Sequence, residues 1–108
     1  KTTPTMIFDE VDSGIGGGVA EIVGRLLADL GRQRQVLCVT HLPQVAARAA
    51  QHYQVSKTTQ AGQALSRVVR LERDARVEEV ARMLGGVKIT EATREHAGEM
   101  LGGSPKQG

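Results

Sequence analysis

Asp9 and Glu10 stand side by side at the end of an apolar run, Thr5-Met6-Ile7-Phe8, and a histidine, His41, ends a second one, Val36-Leu37-Cys38-Val39-Thr40. Adjacent carboxylates at a strand end can divide two tasks. One binds Mg²⁺, directly or through water, and its neighbour accepts a proton from a reacting water. An isolated Asp-Glu pair is more often a polar strand end, and a lone histidine is more often structural than catalytic. The two features gain weight together. If the strands are parallel neighbours in a sheet, their carboxyl ends open onto one crevice, the usual ligand site of such sheets.

Other chemistries fit poorly. Gly14-x-Gly16 is followed by Val19 where a dinucleotide-binding pattern has its third glycine, and no Gly-Lys-Ser/Thr triplet enters a helix. The three histidines and Cys38 lack metal-ligand spacing, which argues against zinc. Ser13 lies in no Gly-x-Ser-x-Gly elbow, which disfavours a serine hydrolase. His52 and His96 have no carboxylate company of this kind and are expected at the surface.

The elements that must position Asp9, Glu10 and His41 are legible from periodicity. Val11 to Gly18 is a glycine-rich turn, and Val19, Ile22, Val23, Leu26, Leu27 and Leu30 form an i, i+3, i+4 stripe that stops at Gly31. Strand, helix and strand within about forty residues predict a right-handed parallel crossover. Pro43 fits the first turn of a short helix over Gln44 to Ala50. Tyr53, Val55, Leu65, Val69 and Leu71 alternate with polar residues around Gln60-Ala61-Gly62, predicting a β-hairpin with one wet face. A helix carrying Val77, Val80, Ala81 and Leu84 is opened by Asp74 and closed by Gly85-Gly86. A last helix, Glu91 to Leu101, is capped by Thr90, and residues 102–108 are expected to form a flexible tail.

Composition sets limits. A chain of 108 residues makes at most one small domain, and 2% aromatic content leaves few large core anchors. A net charge of +2 gives no strong electrostatic case for direct nucleic-acid binding. Arg67, Arg70, Arg73 and Arg76 are interleaved with acids and read best as a solvated hairpin face. A single cysteine excludes an intrachain disulfide and suits a buried thiol in a cytosolic protein. No membrane-spanning run or signal peptide is apparent. With a core strand only a few residues from Lys1, the chain is expected to be a piece of a longer protein.

The motifs resemble a family. Thr5 to Glu10 is similar to the Walker B strand of ABC-type ATPases, Ser13-Gly14-Ile15-Gly16 to the D-loop that follows it, and Val39-Thr40-His41 to their switch-histidine strand. The longer stretches Phe8 to Gly17 and Val39 to Ala46, with His52 to Lys57 and Ala81 to Gly86, resemble the carboxyl-terminal head segment of the RecN family, bacterial SMC-like DNA-repair ATPases. The fold implied is α/β: the carboxyl-terminal segment of a parallel-sheet P-loop NTPase head of ABC/SMC type, followed by a hairpin and two helices. Residues 1–101 would form this part of the head.

That resemblance implies roles by position. Asp9 would hold Mg²⁺, through water. Glu10 would be the general base that orients the water attacking the γ-phosphate of ATP, and His41 would touch that phosphate. Ser13, Gly14, Ile15 and Gly16 would form the D-loop where two heads meet. Gly16 stands where an aspartate is common, which favours backbone packing there. Implied partners are the amino-terminal head segment of the same protein, a second head in a homodimer, and double-stranded DNA, with no membrane and a cytoplasmic, nucleoid-associated location. The Walker A lysine, the Leu-Ser-Gly-Gly signature and a coiled-coil heptad run are not in this sequence, so the segment alone is expected to be inactive. Its parallel strands would have uncovered edges until neighbours were supplied. Two rival readings are another ABC-type head, decided by whether a coiled coil lies upstream, and a non-catalytic interaction module whose carboxylates merely cap a strand. Mg²⁺-dependent nucleotide binding by the assembled head, lost in Asp9→Ala, separates the enzyme from the module.

Overall fold

A computed structural model describes residues 4–9, 14–85 and 88–102. Its elements run β1 (Met6–Asp9), α1 (Gly17–Leu30), β2 (Val36–Val39), α2 (Pro43–Ala46), β3 (Tyr53–Gln60), β4 (Gln63–Arg70), α3 (Arg73–Gly85) and α4 (Glu91–Met100). β1 and β2 pair in parallel, with Met6 opposite Val36 and Asp9 opposite Val39, and β3 and β4 form a separate antiparallel hairpin. The α/β class and the crossover expected from the sequence are both present. Residues 103–108 of the expected tail, and Gly86 at the expected end of α3, lie outside the described residues.

Burial differs from expectation in three places. First, the parallel strands are not buried: residues alternate between half-buried and exposed, with Ile7 70%, Leu37 48% and Val39 59% exposed. One face of a two-stranded sheet has nothing against it among the described residues, and Cys38, expected to be buried, is half-buried on the other. Second, both faces of the hairpin are wet, and within its strands only Gln54 is even half-buried. Third, α1 turns Ala20 and Gly24 inward and leaves Val19, Ile22 and Leu26 exposed. Small residues win the interface because α1 meets α2 at backbone distance. A Cβ on Gly24 would stand 2.8 Å from the Gln44 carbonyl oxygen and 3.3 Å from the Val45 Cα.

Local chemistry explains the element ends. Gly16 caps α1 in an extended conformation, so Gly17 and Gly18 are helical, and Gly31 ends α1 with right-handed backbone. Pro43 occupies the first turn of α2, which closes after one turn instead of reaching Ala50. The hairpin turn is Ala61-Gly62 with φ of 50° and 79°. Two positive φ values match the right-handed twist of the flanking strands, and an alanine there is strained by about 1 kcal/mol. Thr90 caps α4 as expected, its Oγ1 accepting from the Thr93 amide at 3.2 Å. Val80, Ala81 and Ala97 form a buried cluster, flanked by Val77, Leu84, Ile89, Met100 and Leu101.

The hairpin register also separates the arginines. Arg67 lies opposite Ser56 and Arg70 opposite Tyr53, three residues apart and so on opposite faces. Arg76 leaves the surface set altogether. Its guanidinium donates to the carbonyls of Ala46 (3.1 Å), Ala47 (3.4 Å) and Ala49 (2.5 Å), tying α3 to the end of α2. The expected single solvated arginine face does not exist.

Glu79, buried on α3, anchors the base of the hairpin. It accepts from Arg82 Nε (2.9 Å), Arg82 Nη2 (2.5 Å) and Gln54 Nε2 (2.7 Å). These donors, the Arg82 bonds first, hold its carboxyl below the usual 4.5. His52, expected at the surface, is half-buried beside it. Burial lowers its pKa below 6.5, the Arg76 charge lowers it further, and Glu79 opposes both.

Two expectations follow. Gly24→Ala gains helix propensity but drives a methyl into backbone, so a net loss of about 1–2 kcal/mol should appear in urea unfolding. Both shifted groups bind fewer protons folded than unfolded, so stability is full above pH 6.5 and declines on acidification. The His52 contribution is lost as pH falls below 6.5, and the Glu79 contribution below 4.5, through their folded values. Denaturation across this range should show both phases, with the lower one diminished in Glu79→Gln and its remainder carried in part by Glu21, whose carboxyl Arg25 and Arg48 also hold below 4.5.

Candidate active site

β1 ends at Asp9, and its register partner Val39 is the last residue of β2. His41 follows two residues later, on the turn into α2. Strand spacing of roughly 4.8 Å and two further residues of chain keep the Cα atoms of Asp9 and His41 within about 12 Å of each other. Both side chains are exposed at the carboxyl end of the sheet. A carboxylate and an imidazole thus share one rim. Glu10 and Ser13 lie outside the described residues.

The turn that carries His41 is built locally. The Thr40 hydroxyl accepts from the Leu42 amide at 3.0 Å, and Leu42 then caps α2, its carbonyl accepting from the Val45 and Ala46 amides at 3.1 Å each. Thr40 thereby bends the chain out of β2, and Pro43 commits it to helix. Gly14, the first described residue after β1, has φ 80°, a left-handed conformation that suits glycine. It leads through half-buried Ile15 and exposed Gly16 into α1. Added Cβ atoms at Gly14 and Gly16 would meet nothing within 4 Å among the described residues, so this loop presents open backbone to them. Open backbone fits close approach by another surface better than a filled turn would.

No group of three or more His, Cys, Asp or Glu side chains among the described residues could by itself cage a metal. One exposed carboxylate at a strand end fits Mg²⁺, which keeps several waters and takes one or two protein carboxylates beside substrate phosphates. It does not fit Ca²⁺ or Zn²⁺, which need fuller ligand sets.

No protein-family model matches the chain. Curated relatives do. It is 57% identical over 100 residues to the DNA repair protein RecN of Xylella fastidiosa (strain Temecula1), covering 93% of this chain and 18% of that protein. It is 52% identical over 101 residues to RecN of Deinococcus radiodurans, covering 94% of this chain and 18% of that one. The chain is a RecN-family segment. Bacillus subtilis RecN is 42% identical over 97 residues, covering 90% of this chain. The chain spans about a fifth of the length of these RecN proteins, 18% of the first. A solved structure from work on ATP-driven dimerization and DNA-stimulated activation of SMC ATPases overlays with a TM-score of 0.64 at 20% identity, over 82% of this chain and 52% of that one. The RecN segment therefore has an SMC-ATPase fold, with Asp9 and His41 at the carboxyl ends of its parallel pair.

Sequence reasoning missed Thr40 as the residue that shapes the His41 turn, although a hydroxyl two residues before the helix entry is a known turn signal. Thr40→Val keeps the shape and deletes the acceptor. It should cost about 1 kcal/mol in urea unfolding and broaden the His41 ring resonances in NMR, while a sharp, wild-type spectrum would show that the turn is held by other contacts.

Proposed function

We propose that this segment is part of the ATP-hydrolysing head of a RecN-like DNA double-strand-break repair protein, in which ATP-driven head dimerisation gates DNA engagement. The observation that carries the reading is the register placing Asp9 opposite Val39, so that the Walker-B-like strand ends beside the turn bearing His41. The identity with RecN proteins over nine-tenths of the chain supports the biological setting.

In this reading Mg²⁺ and ATP supply charge neutralisation and the transferable phosphoryl group. Asp9 holds the ion's water shell from the end of β1. Glu10, the next residue, orients the attacking water and takes its proton. His41, directed by the Thr40 turn, hydrogen-bonds the terminal phosphate. Few protein groups are needed, because phosphoryl transfer depends on positioning and charge stabilisation more than on covalent participation. Ser13 to Gly16 approach the second head through backbone, which the open space around Gly14 and Gly16 supports.

The partners proposed are the amino-terminal head segment of the same protein, a second head in a homodimer, and double-stranded DNA bound by the complete protein. The bare sheet face at Ile7, Leu37 and Val39 and the α1 stripe at Val19, Ile22 and Leu26 support the first of these, since exposed apolar area of this extent marks a surface to be covered. No described helix is long and apolar enough to cross a membrane, and a cytoplasmic, nucleoid-associated location goes with the reading. Activity belongs to the assembled head rather than to this segment.

Glu10→Gln in the full-length protein should retain ATP binding and accumulate head dimers, while turnover falls by at least about a hundredfold in a phosphate-release assay. Wild-type turnover in that variant refutes the base assignment.

A further inference from the structure

Gln44 follows His41 by three residues and touches α1 at the point where the loop Gly14 to Gly16 enters it. Its side-chain nitrogen lies 3.1 Å, and its amide carbon 3.9 Å, from where a Cβ on Gly17 would stand. Gly17 is the first residue of α1, and a glycine there admits the amide this closely. Gly16 is tied to the same helix, its carbonyl accepting from the Ala20 amide at 2.8 Å. Two further contacts hold α2 to this side of α1. The Gln44 carbonyl oxygen stands 2.8 Å from where a Cβ on Gly24 would be, and Arg48, just past α2, donates to Glu21 at 3.1 Å. Residues 17, 21 and 24 recur at helical spacing, so one stripe of α1 bears on α2.

The His41 end of this contact is equally constrained. Thr40 accepts from the Leu42 amide, and Leu42 accepts from Val45 and Ala46, so His41 and Gln44 belong to one hydrogen-bonded turn. The amide of Gln44 is also unmatched. Its Oε1 is shielded from solvent and has no hydrogen-bond partner among the described residues. In the helix end it touches, the Gly17 and Gly18 amides precede the first bond within α1, and no side chain of Gly16 caps them. A shielded acceptor and a pair of uncapped donors thus lie in contacting residues without being joined. Leaving such an acceptor unbonded is costly, which favours any small shift of α2 against α1 that joins them.

We infer that Gln44 is a positioning residue that couples the turn bearing His41 to the loop Gly14 to Gly16, so that contact of His41 with a terminal phosphate sets the surface offered to a second head. The inference rests on the proposed roles of His41 at that phosphate and of the loop at the second head. A displacement of His41 carries Gln44 with it, because they share a turn. Gln44 bears directly on the first residue of α1, and Gly16 is bonded to that helix. One side chain therefore spans the whole distance between the two elements.

The test uses the full-length protein. Gln44→Met keeps the length of the side chain and removes its amide. ADP, which lacks the terminal phosphate, should bind wild type and variant alike, within about twofold, while ATP-dependent head pairing, measured by sedimentation, weakens at least about fivefold in the variant. In hydrogen-exchange mass spectrometry of wild type, ATP should slow exchange across residues 14–20 more than ADP does, and Gln44→Met should lose that difference. Gly17→Ala displaces the amide from α1 without altering α2, and it takes the place of Gln44→Met, with the same expectations, if circular dichroism shows that variant to be misfolded. Wild-type head pairing and exchange in the folded variant, or a loss of ADP affinity as large as the loss of pairing, overturns the inference and leaves the ATPase reading standing. A wild-type protein that binds no ATP overturns both.

Discussion

Close contact between α1 and the start of α2 is the constraint from which the rest of the arrangement follows. Gly24 lets the Gln44 carbonyl and the Val45 backbone come within a distance no side chain would permit. That contact fixes α2 directly beyond β2, and so fixes the turn bearing His41. At its other end, the same four-residue helix is gripped by Arg76, which satisfies carbonyls that a helix terminus leaves open. A helix of one turn has almost no stability of its own. It persists because one neighbour supplies close packing and another supplies hydrogen bonds, and through it the crossover unit is joined to the α3–α4 pair.

The division of labour between polar and apolar contacts is unusual for a domain this small. The buried cluster around Val80, Ala81 and Ala97 is built from small side chains, with Val80 the largest that is fully buried. Cores of that kind bury little area per residue. The Glu79–Arg82–Gln54 bonds and the Arg76 clamp therefore take on tasks that larger apolar residues carry elsewhere. Both are partly shielded from water, where charged hydrogen bonds are stronger and an unmatched partner costs more. Much of the larger apolar content sits on the outside, at Ile7, Leu37 and Val39, on α1 and along the hairpin. The RecN relatives are several times longer than this segment, which gives that distribution a physical reason: surfaces apolar in a fragment can be interior in the whole.

What the chain's order of residues determined by itself was the type and sequence of the elements. The apolar runs at Met6 to Phe8 and Val36 to Val39, the helical stripes over α1 and α3, the Pro43 start and the Thr90 cap are local signals, because backbone sterics and hydrogen-bond accounting act over three or four residues. The acidic strand end, the histidine strand end and their kinship with an ATPase family were equally legible, since motif residues are contiguous. Tertiary structure alone decided which faces are covered. Periodicity marks an apolar stripe without naming its partner, and on α1 the partner chose Ala20 and Gly24 over Val19, Ile22 and Leu26. It also decided the fates of His52, Arg76 and Glu79, which look like surface residues in sequence and become half-buried or buried because β3, α2 and α3 meet around them. The Gln54–Glu79 bond and the Arg76 bonds to the α2 end join residues more than twenty positions apart, a separation that no local pattern encodes.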